Sequence, residues 1–290
     1  MVILAGESEG PPDQAERCPV AVDLTPRGGR GPFLLEKWYI DTLMEDGGVL
    51  LVYLGRVRVL GVWISRVTAE LFLPDGAVVR GSAAARLVAG SGDHLVFGPA
   101  RIEGERLRFE TAGLSGQLAF APRYPAVALA EPFLAQGRRQ LLWKVEVPDA
   151  DVMGDVSWPS GCRAIAGRGY RDRVWYDLLP WRFPIRELEW GRAAAGEHAA
   201  TWVRATTPRG TVATGWLDGQ ADPEAKGAIV LGQSRVLVKS AVADLQVLRL
   251  GALRHLVRYL ARDPVETKWA APATIGEAKG VAIHEVVQWR

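Results

Sequence analysis

An all-β fold of antiparallel strands is what the 290-residue sequence predicts, and three observations carry that expectation. Short runs rich in β-branched and aromatic residues recur at roughly ten-residue spacing. Clusters of glycine, proline and aspartate punctuate them, and only one segment sustains helical spacing. Many short strands with such turn signals fit an up-and-down or sandwich-like β architecture.

Residues 1–32 are expected to form an irregular leader, because Gly6 to Pro32 is rich in glycine, proline and charge and should either cover something or fray. Leu34 to Asp41 reads as the first strand, and Glu45-Asp46-Gly47-Gly48 turns it into Val49 to Leu54, making a hairpin. Further strands are expected at Val57 to Ile64, Ala69 to Leu73, Val78 to Val79, Arg86 to Ala89, Leu95 to Phe97, Leu107 to Glu110 and Gly116 to Phe120. Pro74-Asp75-Gly76, Gly90-Ser91-Gly92-Asp93 and Glu103-Gly104-Glu105 supply turns between them. Pro122 to Gln136, with three prolines, looks like a connector, and Leu141 to Val147 is a strong strand. Pro148 then marks the expected boundary between a first β domain, residues 33–148, and a second, residues 149–290. The second half repeats the rhythm at Arg163 to Ala166, Arg186 to Trp190, Thr201 to Ala205, Thr211 to Leu217, Ile229 to Leu231, Val236 to Val238, Leu245 to Leu250 and Val281 to Trp289. Leu253 to Arg262 is ambiguous, with apolar residues at helical spacing but strand-forming Val257 and Tyr259.

Composition narrows the function. The net charge is +2, and the arginines are interspersed with acids, so no basic stripe points to nucleic acid. No apolar run reaches the roughly 18 residues of a membrane span, and the N-terminus has no signal-peptide pattern, so the cytoplasm is the expected location. Cys18 and Cys162 are far apart and are expected to be reduced. The four histidines are isolated, no HxH or HExxH occurs, and no metal or cofactor is expected. A GxSxG elbow is absent, and Gly167-Arg168-Gly169 lacks the βαβ setting of a dinucleotide fingerprint.

The candidate site is Val156 to Arg192, centred on Gly167 to Trp175. If Cys162 to Asp172 is a strand, period-2 alternation puts Arg168, Tyr170 and Asp172 on one face and Arg171, Arg173 and Trp175 on the other. Asp172, flanked by guanidinium groups, is expected to stay ionised. A structural knot of ion pairs at the mouth of a barrel would have the same composition. Trp38, Tyr39, Tyr53, Trp63, Trp143, Trp158, Tyr170, Trp175, Trp190 and Trp216 recur across several strands and offer aromatic lining that suits a polyene or a developing positive charge. Glu36 and Asp41 lie on opposite faces of one strand, so at most one should face a cavity.

The ordered set Glu36-Lys37-Trp38-Tyr39-Ile40-Asp41, then Trp158, then Gly167 to Asp172 with Trp175, and finally Leu188-Glu189-Trp190-Gly191-Arg192, resembles the AttH-like superfamily. That group includes carotenoid 1,2-hydratases (hydroxyneurosporene synthases), tocopherol-cyclase-like proteins and lipocalin-like Diels-Alderases. The resemblance spans Leu34 to Arg290 and implies two lipocalin-like (calycin) antiparallel β-barrels in tandem, holding a hydrophobic small molecule. The hydratases carry Gly-Tyr-His-Asp-His-Asn-Trp, where this chain has Arg171, Arg173 and Val174 at the two histidine positions and the asparagine position. Arginine does not shuttle protons at neutral pH. On this basis Tyr170, Asp172, Arg168 and Arg171 are the catalytic candidates. Glu36, Trp38, Tyr39, Asp41, Tyr53, Trp63, Trp158, Trp175, Tyr176 and Trp190 are the substrate-binding candidates. Three functions stay open: a cofactor-free cyclase or isomerase of a polyene, terpenoid or polyketide, acid-catalysed addition to an isolated double bond, and a non-catalytic lipid or carotenoid carrier.

Overall fold

A computed structural model of the chain describes residues 22–28, 31–128, 132–241 and 264–289. The first sheet contains β1 (Phe33–Met44), β2 (Val49–Val59), β3 (Val62–Phe72), β4 (Val78–Ala84), β5 (Val88–Ser91), β6 (His94–Phe97), β7 (Ala100–Glu103), β8 (Arg106–Thr111) and β9 (Leu114–Pro122). The short β10 (Val127–Ala128) and β11 (Leu134–Gln136) join it, as does the long pair β12 (Arg139–Trp158) and β13 (Gly161–Tyr176). The second sheet contains β14 (Glu187–Ala195), β15 (His198–Thr207), β16 (Gly210–Leu217), β17 (Gln220–Ala221), β18 (Ile229–Leu231), β19 (Arg235–Ala241), β20 (Val265–Ile275) and β21 (Ala278–Gln288). The order is β4-β3-β2-β1-β13-β12-β9-β8-β7-β6-β5 in the first sheet and β17-β16-β15-β14-β21-β20-β18 in the second.

Each sheet is a curled, antiparallel half-barrel, so the all-β, lipocalin-like architecture is the one observed. In the first, the curl brings β4 back to the β8–β9 hairpin, where Ser82 and Ala112 form an isolated bridge. Gly81 permits that approach, since a Cβ there would collide with Thr111. Trp38, Ile40, Val52, Leu54, Phe97 and Phe109 fill the inside of the curl. The opposite face of the same strands is buried as well: Tyr39, Leu51, Tyr53 and Tyr170 pack against Trp190, Val203 and Ile283 of the second sheet. The first sheet is therefore covered on both sides. That explains why β1 and β2 read as nearly continuous apolar runs and not as alternating ones. The described part of the leader, residues 22–28, lies over one end of the curl, where Leu24 is buried and its N–H donates to the Gly92 carbonyl at 2.6 Å.

Several sequence boundaries move. Pro148 falls inside β12, so residues 148 and 149 do not separate two sheets; the chain passes from one sheet to the other between Tyr176 and Glu187. The register of β12 against β13 shifts between Val145 and Val147 and again between Val147 and Ala150. Such a bulge is where a strand tolerates a residue without an N–H. Val57 to Ile64 is two strands, not one, because Leu60 and Gly61 take positive φ (50° and 89°) and make a tight hairpin turn. Strands β7 and β20 were not anticipated. The Leu245 to Leu250 strand, the Leu253 to Arg262 segment and Cys18 lie outside the described residues, while Cys162 is an exposed free thiol. Among the described residues, no helix is long and apolar enough to cross a membrane.

Candidate active site between the sheets

The pairing of β1 with β13 sets Tyr39 opposite Asp172, Asp41 opposite Tyr170 and Lys37 opposite Val174. Strand alternation sends Tyr170 and Asp172 toward the second sheet, and Arg171 and Arg173 into the curl of the first. Between the sheets lies a cavity of about 180 Å³, more than ten times the roughly 10–15 Å³ that one water needs. Tyr39, Tyr53, Trp143, Tyr176, Trp190 and Trp289 give it aromatic walls, while Lys37, Asp172, Glu266 and Glu285 supply polar groups.

Asp172 is 1% exposed. Its Oδ2 accepts hydrogen bonds from the Tyr170 hydroxyl at 2.9 Å and from Trp143 Nε1 at 3.0 Å. Its Oδ1 is buried and has no hydrogen-bond partner among the described residues. Burial pushes its pKa up to about 7, against the opposing pull of Lys37 and of the two hydrogen bonds. The expectation that flanking guanidinium groups keep Asp172 ionised is thus corrected, because alternation turns both arginines to the other face. Arg171 lies 2.9 Å from Glu146 on the other face of the sheet. Arg173 binds Glu36 (Nε to Oε1, 2.9 Å) and the carbonyls of Asp23 and Thr25, with its guanidinium 4.7 Å from the Trp38 ring centre.

On the second sheet, β20 and β21 place Lys268 between two carboxylates. Its amine is 2.7 Å from Glu285, 3.6 Å from Glu266 and donates to the Tyr53 hydroxyl at 2.8 Å. The rings of Tyr39, Tyr53 and Trp190 surround it at 4.7, 5.1 and 5.8 Å. Burial, and then the charge of Glu285, push Glu266 up to about 7. For Glu285 burial acts in the same direction, but Lys268 and Lys37 outweigh it and hold the group below the usual carboxylate range.

Tyr39, Tyr53, Asp172, Tyr176, Trp190 and Glu36 are the expected residues that line the cavity. Tyr170 stands behind Asp172 and holds it. The other expected residues lie elsewhere. Arg168 is bound to Asp149 and donates to the Gly196 carbonyl at 2.8 Å, tying the sheets together at the surface. Asp41 pairs with Arg192, both side chains fully buried. Trp38 is inside the first curl, with Trp158 packed at the edge of that core. Trp175 lies beneath Arg27 at 5.5 Å, and Trp63 is 40% exposed beneath Arg56. Lys37, Glu266, Lys268 and Glu285 were not among the expected site residues, and Trp143 was expected only as part of the aromatic lining. Period-2 spacing from Tyr39 would have found Lys37; the others depend on which strands meet.

No protein-family profile and no curated protein sequence matches this chain. Solved structures do. CghA superposes with a TM-score of 0.66 at 14% identity, covering 94% of this chain and 93% of that one, and CghA with Sch210972 gives 0.64. An AttH protein from Nitrosomonas europaea gives 0.57 at 12% identity over 90% and 93% of the two chains. Kievitone hydratase from Nectria haematococca gives 0.51 at 12% identity over 89% of each. The chain has the lipocalin-like fold of these structures.

Proposed function

We propose that the protein is a cofactor-independent enzyme that cyclises or isomerises a hydrophobic polyene, terpenoid or polyketide, with Asp172 as its general acid. The observation that carries this reading is a buried carboxyl group with its pKa near 7 and one uncommitted oxygen at the wall of an aromatic cavity. Tyr170 and Trp143 occupy Oδ2, which leaves Oδ1 to carry the proton. Transfer of that proton to a substrate carbonyl or alkene develops positive charge, which the faces of Tyr39, Trp143 and Trp190 stabilise. The conjugate carboxylate keeps its hydrogen bonds from Tyr170 and Trp143 and has Lys37 nearby. A proton returned to Asp172 after ring closure or double-bond migration leaves the substrate mass unchanged and needs no redox partner. Proton transfer of this kind contributes about 10²- to 10⁴-fold, and holding reacting carbons at near-attack distance adds up to roughly 7–11 kcal/mol. The similarity in fold to CghA, crystallised with a small molecule, is in keeping with a ligand between the sheets.

A second reading has its own observation. Glu285, held ionised beside Lys268, faces the same cavity as the acid Asp172, an arrangement that orients a water toward the cation left when Asp172 protonates an isolated double bond, the water's surplus proton passing to the Asp172 carboxylate. Kievitone hydratase shares the fold. Conversion of a polyene substrate in oxygen-18 water separates the readings: cyclisation gives a product of unchanged mass with no label, and hydration one heavier by a labelled water. Tight binding with no change in mass or spectrum, by the wild type as by Asp172→Asn, would identify a carrier and overturn both.

A further inference from the structure

We propose that the molecule bound between the sheets carries an anionic oxygen group, a carboxylate in the simplest case, and that Lys37 receives it. This deepens the reading of the cavity as a site for an unsaturated, apolar molecule and rests on it. The argument comes from accounting for every charged side chain at the cavity wall. Glu36 is engaged by Arg56 and Arg173. Glu70 is bound by Arg80 at 2.8 Å. Glu285 and Glu266 flank Lys268. Asp172 is held by Tyr170 and Trp143. Lys37 is the exception: it is half-buried on β1, lines the cavity, and has no hydrogen-bond or ion-pair partner among the described residues.

The groups nearest its amine by ring contact are Tyr39 and Tyr53, with centres 5.9 and 5.8 Å away, while Asp172, Glu266 and Glu285 act on it through space. Rings favour a cation but do not neutralise it. Lys268, the other lysine here, already has two carboxylates and a hydroxyl, so it offers nothing comparable to a ligand. An ammonium that feels Asp172, Glu266 and Glu285 only through space and is bonded to none of them, beside a largely aromatic and aliphatic cavity, matches an amphiphile: a hydrocarbon body along the rings and an acidic head on Lys37.

A fluorescent polyene acid tests this without reference to turnover. The protein is titrated with cis-parinaric acid and with its methyl ester, as wild type, Lys37→Met and Lys37→Arg. The acid is expected to bind the wild type about 10- to 100-fold more tightly than the ester, the range for a hydrogen bond to a charged group. Lys37→Met should remove the preference while the ester binds as before, and Lys37→Arg should retain it. The unchanged ester affinity doubles as a folding control; should Lys37→Met lose the ester too, Lys37→Arg decides, since loss of the preference there counts against the proposal. Equal affinities in the wild type, or binding of neither probe, overturn it. Equal affinities would leave Asp172 as the general acid untouched, because no proton is transferred in the titration.

Discussion

The two faces of the β1–β13 pair carry nearly the same chemistry and put it to opposite uses. On the face turned into the first sheet, each carboxylate meets a guanidinium: Glu146 has Arg171, and Glu36 has both Arg173 and Arg56. On the face turned to the second sheet, Asp172 meets a phenol and an indole and titrates near neutrality. Asp172 stands between Arg171 and Arg173 in the chain, yet neither arginine reaches it. The lesson is that in a strand the neighbour in sequence is the stranger in space, and a residue's protonation is set by the second neighbour and by the facing strand.

The comparison breaks most visibly at Asp172. Asp172→Asn keeps the shape and removes the proton, and turnover is expected to fall about 10²- to 10⁴-fold while the affinity of a bound polyene holds; loss of affinity in proportion would make the residue a binding group instead. Arg171→Ala does the reverse. It strands the buried Glu146 and is expected to cost roughly 3–5 kcal/mol in chemical denaturation, with the remaining folded protein turning over normally.

Tyr170→Phe sharpens the contrast. It removes a hydrogen bond that favours the charged form of Asp172, so the pKa of the carboxyl should rise. Activity that needs the protonated acid falls as pH passes upward through about 7 in the wild type, and in this variant the fall should begin at higher pH. An unmoved alkaline limb would separate Tyr170 from the acid. Stability follows the same sign. The folded-state pKa of Asp172 lies above the usual carboxylate value, so its contribution is complete below about 4 and is lost as pH rises from there to about 7; Asp172→Asn should flatten that part of the stability profile. Trp63→Ala marks the small end of the scale. This half-exposed ring under Arg56 lies off the cavity, and both turnover and stability should stay near the wild type, within about 0.5 kcal/mol.

Much of the first sheet was legible because its strands advertise themselves. The Glu45 to Gly48 turn fixed the first hairpin, and alternation from Arg168 to Arg173 fixed which groups share a face. The second sheet's share of the site was not legible. Glu266 and Lys268 sit on β20, a strand not expected from the sequence, its middle being Ala270-Ala271-Pro272-Ala273. Pro272 is accommodated because it falls between the stretches paired with β18 and β19, where Gly232 donates to its carbonyl and no ladder bond is required of its missing N–H. Trp143 was read as part of a strong strand and as aromatic lining but not tied to Asp172, since the cross-strand hydrogen bond depends on the pairing of β12 with β13, which sets Trp143 opposite Val174. The Arg192–Asp41 pair likewise joins residues from different sheets, and no local pattern announces it.

The central claim is a carboxyl group held protonated near neutrality at the cavity wall, and the direct test is the titration of Asp172 itself. Carbon-13 NMR of protein labelled at the aspartate carboxyl carbons, with Asp172→Asn to assign the signal, should show one resonance whose midpoint lies near 7. A midpoint at about 4 or below, the ordinary aspartate range, would mean that Asp172 is ionised in the resting protein and would contradict the account.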